Sequence, residues 1–190
     1  MFIMPNIVEV MPGGREKHYD IISRLFKDRI IMLHGEVDEE TSLSINAQLL
    51  YLDSESHEDI QLLIESPGGS VLAGLSIMDT MNRIKSNVVT IASGEACSMG
   101  AFLLACGTKG KRKATKSCRI MTHSLSHGTG GNINDTRISH KEAEYLQKYL
   151  ADILIENTGN NREVVERDLE RDKWMSAQEA LEYGLIDKII

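Results

Sequence analysis

The chain has 190 residues, 21 basic and 28 acidic, giving a formal net charge of −7, with 42% hydrophobic and 26% charged residues. Those proportions describe one globular domain with a real core, and the acidic balance excludes the basic footprint of a dedicated nucleic-acid binder. No apolar run reaches the roughly 18 residues of a membrane span, and Cys97, Cys106 and Cys118, with no CxxC pair, point to a reducing cytoplasm rather than a disulfide framework.

Met1 to Val10 is apolar but lacks the basic flank and the small-residue cleavage site of a secretory signal. Pro5, Pro12, Gly13 and Gly14 punctuate residues 1–19, which predicts a flexible or loop-forming arm, with the ordered body starting near Tyr19. Arg29–Leu33, Ile60–Ile64 and Val88–Ala92 are short apolar runs rich in β-formers, the pattern of buried strands. Helical spacing recurs from Thr41 (Ile45, Leu49, Leu52) and from Val71 (Leu75, Met78, Met81). Ser98–Cys106 is apolar all round and predicts a fully buried helix. Arg119–Thr122 reads as a strand leading into His123, followed by a flexible stretch at Gly128, Gly130 and Gly131. A long helix is predicted over Ile138–Glu156, stopping at Asn157-Thr158-Gly159. Ser176-Ala177-Gln178-Glu179 is a capping box opening a short helix that Gly184 closes. Strands alternating with helices predict an α/β fold.

Two turns carry chemistry. Ser66-Pro67-Gly68-Gly69-Ser70 joins a predicted strand to a predicted helix, where backbone N–H groups can gather around an anion or simply make a turn. Ser93 to Gly100 does the same and sets Ser98 at a helix N-terminus. A nucleophilic serine wants that position, because the oxyanion formed beside it needs donors; a plain N-cap serine would also fit. The segment is neither a GxSxG elbow nor a phosphate-binding loop.

Of six histidines, His123 is the candidate base, since it ends a strand beside a glycine-rich loop; a strand-end histidine satisfied by backbone is the bland alternative. His18 lies beside the arm, His57 sits in an acidic loop, and His140 opens a helix. His123 and His127 are four apart, but without HExxH and with glycines following, no zinc site is expected. Cys97 reads as an inert packed thiol. The basic cluster from Lys109 to Arg119 lacks interleaved aromatics and reads as a solvated face or subunit contact. Spacing does not select an acid from 28 candidates, although Glu170-Arg171-Asp172-Lys173-Trp174 is attractive.

These segments together resemble the ClpP family, the proteolytic subunits of ATP-dependent Clp proteases, over nearly the whole chain from about Pro5. The resemblance rests on Tyr19-Asp20-Ile21-Ile22-Ser23-Arg24-Leu25, Ser66-Pro67-Gly68-Gly69, Ala96-Cys97-Ser98-Met99-Gly100-Ala101, Met121-Thr122-His123, Glu170-Arg171-Asp172 and Tyr183-Gly184-Leu185-Ile186-Asp187. It implies Ser98 as nucleophile, His123 as general base and Asp172 as its orienter, with the backbone N–H groups of Gly69 and Met99 as the oxyanion hole. It implies a single peptidase domain over residues 1–190. The fold would be crotonase-like α/β with repeated β-β-α units and a protruding handle helix, the handle covering about 124–158. Further implications are two stacked heptameric rings of identical chains, an axial arm over 1–19, and unfolded polypeptides fed in by an AAA+ unfoldase. Arg171 and Asp135 match the family's ring-to-ring contact. No metal or other cofactor is implied.

The departures lie at Ser124, Leu125, Ser126 and His127, which replace the family's usual residues in the substrate wall. Gln61, Leu63 and Arg83 replace aromatic or apolar residues at the family's unfoldase-docking pocket. A ring subunit without catalysis and a crotonase-superfamily acyl-CoA enzyme are the competing readings. The intact Ser98, His123 and Asp172 weigh against both.

Overall fold

The computed structural model describes residues 5–190; the start of the expected arm, residues 1–4, lies outside the described residues. Residues expected to form a loose arm instead pair as an antiparallel hairpin, β1 (Asn6–Val10) and β2 (Glu16–Asp20). The β-branched residues Ile7, Val8 and Val10 favour a strand, and Pro12-Gly13-Gly14 lies in the turn that joins it to β2. Glu9 ties the hairpin to the body by ion pairs with Arg24 and Lys27 of α1 (Ile21–Lys27), a helix capped by Asp20.

Then β3 (Ile30–Val37), α2 (Glu39–Glu55), β4 (Ile60–Gly69), α3 (Val71–Arg83), β5 (Val88–Cys97) and α4 (Met99–Ala105) follow in strict alternation. β3, β4 and β5 are parallel neighbours, as strand–helix–strand crossovers require. The strands are not buried on both faces as expected. Ile60, Leu62 and Ile64 are sealed in the core, whereas Gln61 and Leu63 between them are only half-buried and Met32 beside Leu63 is exposed. β4 and β5 also run longer than their apolar cores, through the Ser-Pro-Gly-Gly and Gly-Glu-Ala-Cys segments read as turns. Their backbones keep pairing after the side chains turn polar, at the cost of register shifts between Ile64 and Ser66 and between His34 and Glu36.

The remaining elements are β6 (Lys113–Ala114), β7 (Arg119–Thr122), α5 (Ile133–Thr158), α6 (Arg162–Leu169), β8 (Lys173–Ser176), α7 (Ala177–Tyr183) and β9 (Lys188–Ile189). β5 forks: its first half pairs β6 and its last three residues pair β7, which in turn pairs β8 antiparallel. The sheet is therefore mixed but mostly parallel. α4 is the hub of the core, with all seven residues buried, as the apolar run predicted. α5 starts at Ile133, five residues before the expected Ile138, because Asn132 accepts the N–H groups of Asn134 and Asp135 as a cap. His140 consequently lies inside that helix rather than at its start. The capping box of Ser176 and Glu179 forms as read. No helix among the described residues is long and apolar enough to cross a membrane.

Candidate active site

Sheet register assembles the site. β7 pairs β8 with Thr122 opposite Lys173, so the next residues in that count, His123 and Asp172, fall opposite each other just beyond the ladder. β5 pairs β7 with Cys97 beside Met121, so Ser98 leaves its strand next to the place where His123 leaves its own. Register thus directs three residues far apart in the chain toward one corner, where β5 and β7 end and β8 begins. Ser98 and His123 are half-buried there and Asp172 is exposed. No hydrogen bond among the described residues joins Ser98 to His123 or His123 to Asp172. Such contacts commonly close only around substrate.

Ser98 has a φ of 51° and a ψ of −124°, a conformation that side-chain-bearing residues rarely adopt. Its backbone is held from both sides. The Ser98 N–H donates to the Met121 carbonyl at 2.8 Å, and the Ser98 carbonyl accepts from Ala101 and Phe102 at 2.9 and 3.1 Å. Its side chain does not cap α4, which leaves the hydroxyl unspent. The plain N-cap alternative therefore fails.

Gly68 makes this geometry possible. A Cβ at Gly68 would stand 2.5 Å from Ser98 Cβ and 2.8 Å from the Cys97 carbonyl oxygen. Only hydrogen fits there. Ser66, fully buried, fixes the same loop: its hydroxyl donates to the Gly35 carbonyl at 2.6 Å and accepts the Gly68 N–H at 3.1 Å. Gly69 closes β4, and Met99 is the first residue of α4, so its N–H precedes the intrahelical ladder.

A cleft of about 500 Å³ opens beside this corner. One wall is the end of β4 and the start of α3, from Gly69 to Leu72; the other is Leu125–His127 and the α5 face at Glu142, Ala143 and Leu146. Gln147 of α5 anchors the outer wall by accepting the Leu125 N–H at 2.6 Å. His127 reaches Ser139 of α5 at 3.4 Å. Asp172 rides on a turn pinned by Asp168, which pairs with Lys173 at 3.2 Å. Burial alone would raise the pKa of Asp168, but hydrogen bonds from Arg167 and Lys173 outweigh it and hold the carboxyl below its ordinary value.

The other candidates sort themselves. Cys97 is buried with its thiol toward Glu95, and burial, with the Glu95 carboxylate second, pushes that thiol up to about 11. Cys106 and Cys118 rise to about 12 and about 11, burial leading in each. His57, in the loop after α2, pairs with Asp53 of that helix, and His140 pairs with Glu144. The basic cluster is not uniformly a solvated face: Arg112 is 3% exposed and bridges to Asp187. Sequence reading missed Gly68, Ser66 and Gln147 as supports. The first two lay in a motif already noticed, but their role depends on Ser98 packing against them across two strands. No sequence signal pointed to Gln147.

The α4 hub, the forked sheet and the corner at Ser98 are thus one continuous unit, and the Clp protease family model spans that unit, matching residues 13–190. The chain belongs to the Clp protease family.

Proposed function

We propose that the protein is a serine endopeptidase whose nucleophile is Ser98, with His123 as general base and Asp172 orienting it. The observation that carries this reading is the strained backbone of Ser98, over-determined by three backbone hydrogen bonds and by Gly68 packed on its Cβ. Strain of this kind, about 1–3 kcal/mol, persists where function needs it. In the mechanism, a peptide lies in the cleft and Ser98 Oγ attacks its carbonyl carbon as His123 takes the hydroxyl proton. The resulting oxyanion is met by the Gly69 and Met99 N–H groups, the first at the cleft wall and the second free of the helix ladder. His123 returns the proton to the leaving amine, and water, activated by the same histidine, releases the acyl group.

Family membership supports peptide substrates and a partner ATPase. The finer architecture is part of the proposal. The fold is crotonase-like, α5 with the preceding loop is the handle, and two rings of seven identical chains stack through it in the cytoplasm around a chamber. Exposed Ile133, Ile138 and Tyr145 along α5 support burial of that helix against another subunit. The 6–20 hairpin would face the axial entrance, and an AAA+ unfoldase would deliver unfolded chains there. The chemistry needs no metal or other cofactor.

The test is hydrolysis of a short fluorogenic peptide, with fluorophosphonate labelling, by the natural protein and by Ser98→Ala. Hydrolysis and labelling that Ser98→Ala lowers at least roughly a thousandfold are expected. A folded natural protein that neither cleaves nor labels would return the chain to the silent-subunit or acyl-CoA readings.

A further inference from the structure

The walls of the cleft beside Ser98 carry an uneven charge. Glu36, at the end of β3, lines it on the Gly69 side, and Glu142 of α5 lines it on the Leu125 side. A smaller cavity of about 290 Å³ continues it past Leu125, His127 and Ala143, and adds Glu144, Glu166 and Glu170. No lysine or arginine lines either cavity. Glu144 is paired with His140 and Glu166 with Arg162, whereas Glu36, Glu142 and Glu170 have no ion-pair partner among the described residues. Lys141, next to Glu142 in the chain, lines a second depression along α5 with Asp135 and Tyr145; Glu142 borders that depression as well, but Lys141 makes no ion pair with it. The outer wall between them is made of Ser124, Leu125, Ser126 and His127, hydroxyls and an imidazole on either side of a single leucine. A bound peptide therefore meets hydrogen-bond acceptors and net negative charge within reach of its side chains.

We infer that this cleft selects peptide segments bearing a lysine or arginine side chain, through Glu36 and Glu142 on its opposite walls. The inference rests on the peptidase reading and deepens it. A long cationic side chain can lay its methylenes along Val71, Leu125 and Leu146 while its charged end reaches a carboxylate. A glutamate side chain in the same place meets like charge on both walls. Since both carboxylates are exposed, the effect is one of selection rather than of anchoring.

The experiment uses the full-length protein and three fluorogenic peptides identical except for one residue near the scissile bond: lysine, glutamine or glutamate. Fluorophosphonate labelling of Ser98 is measured on the same preparation. The lysine peptide is expected to exceed the glutamate peptide in kcat/KM by about tenfold at low salt, the scale of two partly exposed charge contacts. That ratio should fall toward one in 0.5 M salt, where the Debye length shrinks to roughly 4 Å. Glu36→Gln and Glu142→Gln should each lower the ratio, and the double variant should remove most of it. A labelled Ser98 with equal cleavage of the lysine and glutamate peptides overturns the inference and leaves the peptidase standing. A ratio that survives in the double variant also overturns it. A folded protein with neither label nor cleavage overturns the peptidase reading, and the inference with it.

Discussion

Ser98 combines an unspent hydroxyl with a backbone conformation better suited to glycine. The two features separate in mutants. Ser98→Gly relieves the positive φ and is expected to raise stability by about 1 kcal/mol in chemical denaturation, while abolishing peptide hydrolysis. Ser98→Ala loses the same activity but keeps the strain, so its midpoint should stay at that of the natural protein. The neighbouring thiol is a useful contrast. With Cys97 and Cys118 pushed up to about 11 by burial and Cys106 to about 12, about one thiol in a thousand or fewer is ionised at pH 8. Iodoacetamide should therefore leave the native protein almost unmodified at that pH and alkylate all three cysteines once it is unfolded, as mass spectrometry would read directly. At this scale the sequence was legible in part. Ser98, His123 and Gly69 sit in short motifs, but the acid could not be chosen by spacing, because its distance from His123 is set by strand pairing and not by chain separation.

Among the elements, the last strand is held by one buried ion pair. Arg112, on the segment leading into β6, donates through Nε and Nη2 to Asp187 at 2.9 and 2.6 Å, and its Nη1 donates to the Ala105 and Asn157 carbonyls. Burial would raise the pKa of Asp187, but the hydrogen bonds and charge of Arg112 outweigh it, so the carboxyl titrates below its ordinary range. A depressed carboxylate contributes stability that is fully present above its unfolded pKa of about 3.9 and is lost as pH falls through the folded value. Asp187→Asn is expected to cost about 3 kcal/mol at pH 7, the low end for breaking a buried pair because Asp187 keeps some exposure. The gap between variant and natural protein should narrow below pH 4 in urea titrations. Periodicity located the main helices and the three central strands, since each has its own run of apolar residues. It missed β6, β8 and β9, which have four residues or fewer and exist only as partners of other strands. It also missed the hairpin, whose strands bury no residue fully: Val8 and Val10 are exposed on β1, and β2 is mostly charged.

For the whole molecule, Ile133, Ile138 and Tyr145 on α5 and Met32 beside the half-buried Leu63 leave apolar surface in water that a partner subunit could cover. The proposed stacked rings would cover the α5 residues, and the face at Leu63 would belong to the proposed unfoldase-docking pocket. The natural protein is expected to sediment as a particle many times the 21.2 kDa chain mass, and Ile138→Asp to reduce it to smaller species. Arg171 and Asp135 are both exposed and make no ion pair among the described residues, although Asp135 accepts a hydrogen bond from Asn132, and both are free to make a contact between facing rings. Arg171→Ala should therefore shift the particle toward half its mass in sedimentation velocity, and an unchanged particle would count against that contact.

By itself the sequence determined the α/β alternation, the helix limits at Ser176, Gly159 and Gly184, the buried α4 and the motifs that carry the family. Each of these is written in neighbouring residues through apolar period, capping chemistry or a turn. Only the tertiary structure decided that β5 forks, that Gly68 must lack a side chain because Ser98 packs on it, and that His123 and Asp172 fall opposite each other. It also decided that carboxylates from β3 and α5 face one cleft. These facts arise from register and packing between segments distant in the chain, where a side chain's surroundings are fixed by what the fold brings beside it.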